Sequence, residues 1–284
     1  MFLPLAFALG LGQSAFDPLP VIGGERAPAG DDHAVVRIDQ LNTGRFCSGT
    51  LIRPDLVLTA AHCFDFVDSP SQLRVHYEAE VEGSVSVVEY GLHPDYCSDC
   101  DLDRLDFAFV RLAEPLDIPP APILIEQDIW DTEIRRGAPV VVVGFGEVPE
   151  LGTRGERWRV EVPIRGFTDE GIEFVAGGSG KDSCDGDSGG PAFVTASDGS
   201  LRLAAVTSRG SKICGRGGYY GVAYHALAWL SAEVEDPTLC GSECGTCDCL
   251  DTVVPIEEGC CSTDRPRDVP WLLFSVLLLL RRRP

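Results

Sequence analysis

Positive charge is scarce in this chain: 23 Lys and Arg stand against 44 Asp and Glu, a formal net charge of −21. That balance argues against nonspecific nucleic-acid binding, which depends on neutralising phosphates, and the acidity reads as a solvated surface. The sequence also lacks an internal repeat at any fixed short period, which argues against a stacked-repeat architecture. It has no apolar run long enough for an ordinary transmembrane helix. The run from Trp271 to Leu280 would rise only about 15 Å, roughly half a hydrocarbon core. The first residues, MFLPLAFALGLGQSA, lack the Lys or Arg of a usual signal-peptide n-region. They are otherwise an apolar run of signal-peptide length with small residues near its end. A signal peptide is expected over 1–15, cut after Gly10 or Ala15, with a short propeptide over 16–20.

What is present points to export and to β structure. Twelve cysteines are many for a reducing compartment and ordinary for an oxidising one. The length of 284 residues allows one large domain or two packed halves with tails. Residues 34–38, 56–60, 107–112, 139–146, 158–164 and 203–208 are rich in β-branched and aromatic side chains, usually bounded by Gly, Pro, Asp or Asn. Such spacing predicts sandwiches or barrels. The Pro-rich stretch 114–123 reads as a connector between two halves. The single strong helix pattern covers 223–236, where Ala223, Ala226, Leu227, Leu230 and Val234 fall at helical spacing.

Chemistry concentrates in DSCDGDSGGP, residues 182–191. A serine between an aspartate and two glycines is weak evidence alone, because serine is a poor nucleophile until a base takes its proton. His62 supplies a candidate base. It stands in LTAAHC at the end of an apolar strand, whereas His33, His76, His93 and His225 read as surface or structural. Orienting the imidazole requires an acid. Asp106 opens the buried strand DFAFVRL, and Asp101 and Asp103 are rivals in the polar loop before it.

VIGG (21–24), CSGTLIRPDLVLTAAHC (47–63), DFAFVRL (106–112), VGFG (143–146) and KDSCDGDSGGP (181–191) occur in that order. Together they resemble the trypsin/chymotrypsin family of serine endopeptidases, from about Val21 to Asp236. The resemblance implies an all-β fold of two six-stranded antiparallel barrels with a C-terminal helix, and hydrolysis of peptide bonds without a cofactor. By the same resemblance His62 is the base, Asp106 the orienting acid and Ser188 the nucleophile. The backbone N–H groups of Gly186 and Ser188 match the oxyanion hole. Asp182 matches the floor of a P1 pocket that prefers Arg or Lys, with Ser183, Ser208, Gly210 and Gly221 as further substrate-binding positions. Asp187 matches the partner of a new N-terminal amine at Val21, the feature that activates a zymogen. The implied disulfides are Cys47–Cys63 and Cys184–Cys214. Cys97 and Cys100 form a C-x-x-C that is either a redox motif or, as export favours, a local disulfide.

Several positions depart from the family pattern. Pro20, not Arg or Lys, precedes Val21, so another protease or a trimming step must expose that residue. Arg209 replaces a usual Trp, and Ala223 stands where a pocket-floor Tyr is common. Arg209, Lys212 and Arg216 could offer Asp182 an internal partner. A binding protein built on the same scaffold is the rival reading, but its usual signature is a missing member of the triad, and all three are present. No metal is expected: Glu78, Glu80, Glu82 and Glu89 read as a solvated acidic face. The expected partners are protein or peptide substrates, with the catalytic domain, 21–236, monomeric. A Cys-rich linker over 237–268 could hold zinc, but disulfides suit an exported chain better. Residues 269–284, a short apolar segment and an Arg cluster, complete an arrangement similar to myxobacterial C-terminal sorting tails. That likeness implies membrane contact, with or without later processing, and a destination at the bacterial surface, in the outer membrane or outside the cell.

Overall fold

A computed structural model describes residues 23–27, 34–77, 83–146, 156–211, 213–241, 247, 250 and 251. The expected signal peptide and propeptide, Val21, Glu78, Glu80, Glu82, Lys212 and the apolar and Arg-rich tail lie outside the described residues.

The short strand β1 (Glu25–Arg26) is followed by β2 (Val35–Gln40), β3 (Phe46–Arg53), β4 (Leu56–Thr59), β5 (Leu73–His76), β6 (Ser84–Leu92) and β7 (Ala108–Leu112). Strands β2 to β7 close into an antiparallel barrel in the order β2-β3-β4-β7-β6-β5. A second barrel is built from β8 (Pro139–Gly144), β9 (Trp158–Phe167), β10 (Glu173–Ala176), β11 (Pro191–Thr195), β12 (Leu201–Gly210) and β13 (Gly218–Val222). Its order is β9-β10-β13-β12-β11-β8, closed by pairing of β8 with β9, and β1 adds to the outer side of β9. The two six-stranded antiparallel barrels are the fold that the motifs implied.

Side-chain alternation explains which face each strand buries. In β9, Val160, Val162 and Ile164 point inward between exposed neighbours, the period-2 pattern of a sheet with one wet face. β3 and β4 are buried nearly throughout, because their outer faces meet the other barrel. One core accordingly runs from Leu51, Val57 and Phe109 into Val143, Phe145, Phe193 and Val206 of the second barrel.

The helical content differs from the sequence expectation in two places. The segment 223–236 is a 3-10 turn (Ala223–Ala226) followed by a helix of Leu227–Glu233. It ends early because Glu235 adopts φ +54° and Pro237 disfavours helical geometry at Asp236. Helix α1 (Gln127–Glu133), which the sequence pattern did not announce, buries Trp130; the segment at 227–233 is α2. The folded unit also passes the expected boundary at Asp236. Leu250 is buried in the core of the second barrel. The Tyr224 hydroxyl donates to the Cys247 carbonyl at 2.8 Å and accepts from Leu250 N–H at 2.7 Å. Cys240 pairs with Cys247.

Candidate active site

Register brings the candidate base and the candidate acid together. Thr59, the last residue of β4, pairs with Ala108, the first of β7. The chain leaving β4 and the chain entering β7 therefore meet at one end of the first barrel. A 3-10 turn over Ala61–Phe64 then presents His62. Asp106, only 3% exposed, receives the His62 backbone N–H on Oδ1 at 2.9 Å and faces His62 Nδ1 with Oδ2 at 2.8 Å. The Ser208 hydroxyl donates to the same Oδ2 at 2.6 Å. Burial pulls the His62 pKa down, but the hydrogen bond to Asp106 and its negative charge prevail, so the imidazole stands above its ordinary value. Burial pushes Asp106 up, and the bonds to His62 and Ser208 prevail, holding it below the usual carboxylate range.

The rival acids go elsewhere. Asp103 receives the hydroxyl of Thr168, and the carbonyl of Asp101 faces Arg209. The other described histidines have structural partners: His76 meets Asp39 at 3.2 Å, His93 packs on Trp229, and His225 lies edge-on to Tyr224.

Strand β3 of the first barrel grips the segment that carries the serine. Ser48 N–H donates to the Ser188 carbonyl at 2.8 Å, and the Ser48 hydroxyl donates to the Gly186 carbonyl at 2.9 Å. Cys63, next to His62 and bonded to Cys47, lies with its sulfur 3.9 Å from the Ser188 carbonyl. Ser188 is thus seated beside the His62 turn. Its hydroxyl is not hydrogen-bonded to the imidazole in this structure; such contacts commonly tighten only when substrate binds. Neither Gly186 N–H nor Ser188 N–H has an acceptor among the described residues. Gly186 sits at φ +96°, and a Cβ there would meet the Phe46 ring at 2.6 Å, so only glycine fits the turn.

Asp187 is fully buried. Its carboxylate accepts Gly146 N–H on Oδ1 and Cys184 N–H on Oδ2, each at 2.8 Å. Burial raises its pKa to about 6, only partly countered by those bonds. No cation pairs with it among the described residues.

Asp182, 1% exposed, lies behind the serine segment. It accepts Gly217 N–H at 2.7 Å, Ser183 N–H at 2.9 Å and the Tyr220 hydroxyl at 3.4 Å. Tyr220 also meets the Ser183 hydroxyl at 3.1 Å. Burial raises the Asp182 pKa against these bonds. The bridge Cys184–Cys214 flanks this region, and Cys97–Cys100 is formed in the loop before Asp106.

The structure corrects the sequence reading of this pocket. Gly221 backs onto Phe107, where a Cβ would come within 2.9 Å of the ring, whereas a Cβ on Gly218 would lie 3.5 Å from Asp182 and 3.4 Å from the Ser183 hydroxyl. Gly218 rather than Gly221 is therefore the glycine that lies against Asp182. Likewise the hydroxyl that reaches Asp182 belongs to Tyr220. The run GGYYG offers two alignments three residues apart, and only the β12–β13 pairing, Arg209 to Tyr219 and Gly210 to Gly218, decides between them. Gly210 has open space at its Cβ position. The Ser208 hydroxyl is committed to Asp106. Arg209 does not serve Asp182: it forms a two-pronged pair with Glu173 at 2.5 and 2.9 Å, and Arg216 is exposed.

One close group of metal-ligand types occurs among the described residues, Cys47, His62 and Cys63. Its sulfurs are joined in a disulfide and present no thiolate. Glu89 pairs with Arg111 at 2.8 Å.

Comparison with known proteins agrees with this geometry. Residues 21–229 match the family model described as Trypsin. The chain is 30% identical over 249 residues to the venom peptide isomerase heavy chain of Agelenopsis aperta, covering 75% of this chain and 100% of that protein. It is 31% identical over 176 residues to a trypsin of Simulium vittatum, covering 55% of this chain and 67% of the relative. Over 235 residues it is 29% identical to coagulation factor IX of Oryctolagus cuniculus, covering 76% of this chain and 84% of the relative. A family match of this extent, over a double barrel that seats an aspartate–histidine pair beside the serine of GDSGGP, establishes that the chain belongs to the trypsin family and is a trypsin-like serine endopeptidase.

Proposed function

We propose that the protein is an exported endopeptidase, made as a zymogen, that cuts after Arg or Lys through an acyl-enzyme formed on Ser188. The observation that carries this reading is the buried Asp106 carboxylate, which holds both the ring and the backbone of His62 beside the Ser188 segment. In the proposed reaction the Ser188 hydroxyl attacks the substrate carbonyl while His62 takes its proton. Asp106 stabilises the imidazolium so formed. The N–H groups of Gly186 and Ser188, which have no acceptor among the described residues, receive the developing oxyanion. His62 then returns the proton to the leaving amine, and water repeats the sequence to free the acyl half.

Preference for a basic P1 residue rests on Asp182. A buried carboxylate served only by N–H and O–H dipoles lacks a full counter-charge, and an arginine or lysine side chain supplies one. Ser183, Gly210 and Gly218 would line the same pocket. Activation rests on Asp187, whose raised pKa reports an unmet need for a cation that the amine of a processed Val21 would meet. Because Pro20 precedes Val21, a different protease or a trimming peptidase must make that end. Disulfides in both barrels support an oxidising, extracytoplasmic destination. No helix among the described residues is long and apolar enough to cross a membrane; residues 269–284 are proposed as a sorting tail that contacts the membrane before processing. The catalytic domain is proposed to act as a monomer on protein or peptide substrates.

A peptide-library cleavage profile of protein beginning at Val21 tests the reading. Cuts concentrated after Arg and Lys, and fluorophosphonate labelling that vanishes in Ser188→Ala, are expected. Enrichment of acidic or large apolar P1 residues would refute the pocket assignment, and absence of labelling would refute the triad.

A further inference from the structure

The loop that delivers Asp106 is held in an unfavourable conformation. Asp103 and Leu105, neither a glycine, have φ of +53° and +47°. Side chains in the left-handed region persist only where their surroundings impose it. Inside the loop, Cys97 N–H bonds the Arg104 carbonyl at 3.0 Å, and Phe107 N–H bonds the Leu105 carbonyl at 2.8 Å. The loop is further tied by the Cys97–Cys100 disulfide and by Arg104 Nε, which donates to the Cys100 carbonyl. An additional constraint comes from the other barrel. Glu173, at the start of β10 and 1% exposed, accepts the backbone N–H of Asp103 at 2.8 Å and that of Arg104 at 3.4 Å. Arg209, on β12, holds both oxygens of Glu173 and donates to the Asp101 carbonyl at 2.6 Å. Its guanidinium lies on the Tyr219 ring, 4.2 Å from the centroid. Arg209 also approaches the Ser208 hydroxyl at 3.4 Å, and that hydroxyl bonds Asp106.

We propose that Glu173 and Arg209 are positioning residues, an ion pair of the second barrel that clamps the 101–105 turn of the first barrel and so sets the angle of the Asp106 carboxylate towards His62. This rests on the reading of His62, Asp106 and Ser188 given above. The chemistry assigns each member a part. Two backbone N–H groups pointing across the barrel junction need an acceptor with two oxygens in one plane, which a carboxylate provides. A carboxylate so buried needs a cation, and a guanidinium answers both oxygens at once while its second nitrogen reaches the Asp101 carbonyl. Leu105 is the residue before Asp106, so relaxation of its φ rotates the catalytic acid directly. The clamp also explains why Arg209 can replace the family's usual Trp without neutralising Asp182.

The test uses protein starting at Val21, with active sites counted by fluorophosphonate titration and turnover measured on a small substrate with Arg at P1. Glu173→Gln keeps the shape and one acceptor oxygen but removes the charge. It should lower kcat at least tenfold with KM changed less than twofold. It should also move the acidic limb of the kcat/KM profile to lower pH, because His62 loses part of the support that raises its pKa. Arg209→Met should do the same, and Arg209→Lys, which retains the charge, should recover part of the loss. Unchanged kcat and an unmoved acidic limb in a folded Glu173→Gln protein would overturn the proposal. If Glu173→Gln does not fold, Arg209→Lys and Arg209→Met decide by the same readouts, and equal values for both and for the parent overturn it. A parent protein that neither labels nor cleaves would defeat the protease reading itself. The clamp is then judged by amide hydrogen exchange at Asp103 and Arg104, which must accelerate in Arg209→Met; unchanged exchange refutes it.

Discussion

Asp106 touches His62 twice, through the ring and through the backbone, so the aspartate both orients the imidazole and stabilises its charged form. Asp106→Asn preserves the shape but offers an amide where an acceptor is needed, and kcat should fall about ten-thousand-fold in a protein that still folds. The sign of the pH effect follows from His62. Its pKa is raised, and only the neutral ring can accept the serine proton, so kcat/KM should be lost as pH falls through a value above 6.5. In Asp106→Asn that limb should shift to lower pH; an unshifted limb in steady-state profiles would contradict the pairing. Asp182 makes a separate prediction. Asp182→Ser removes the anion that a basic P1 side chain would meet. That loss is worth about 3 kcal/mol, roughly a hundredfold in kcat/KM for Arg substrates. Apolar P1 substrates should be affected far less, as competition assays with matched peptides would record.

Elements position these residues by where they end. β4 ends beside the start of β7, at Thr59 and Ala108, and the segments beyond these ends carry His62 and Asp106, the proposed base and acid. The serine comes from a turn between β10 and β11 that Ser48 of β3 fastens from across the barrel junction. Gly186→Ala tests this turn. The substitution meets Phe46 and must leave φ +96°, costing about 1–3 kcal/mol of stability. By displacing one oxyanion donor, worth about 3 kcal/mol, it should lower kcat roughly a hundredfold. Denaturant titration beside turnover measurements separates the two effects, and loss of stability with full turnover would argue that the turn serves packing alone.

At the scale of the whole molecule, the folded unit outruns the barrels. Leu250 is buried in the second-barrel core and Asp251 N–H bonds the Gln127 side chain at 2.7 Å. Truncation after Asp236 should cost about 2–3 kcal/mol from the Leu250 side chain alone, several degrees in Tm. Equal midpoints in scanning calorimetry would show that the segment contributes nothing. In the proposed activation scheme, the Asp187 carboxyl links processing to stability. Its pKa near 6 in the fold exceeds its unfolded value near 4, so the folded form binds this proton more tightly. Stability of protein with an intact Pro20–Val21 bond should therefore be greatest below about pH 4 as far as this group is concerned. It should decline by about 3 kcal/mol as pH rises to about 6, and level off above. If the amine of protein processed at Val21 pairs with Asp187 as proposed, that form should lack the decline. Urea midpoints measured from pH 4 to 8 on both forms give the comparison.

The sequence by itself determined the chemistry whose parts are contiguous. LTAAHC and GDSGGP each compress a reactive group and its backbone setting into one turn, so residue order alone carries them. The β-branched runs between Gly and Pro likewise declared a β protein, a sandwich or a barrel, and the ordered motifs selected the two-barrel form by resemblance. Tertiary structure decided what depends on register and on distant partners. Gly218 rather than Gly221 lies against Asp182, Tyr220 brings its hydroxyl to that carboxylate, and Arg209 pairs with Glu173, because strand pairing chooses among equivalent local patterns. Helix α1 and the docking of Leu250 were hidden for the same reason: a short segment with one buried side chain has no period of its own, and only the surface it covers makes it regular.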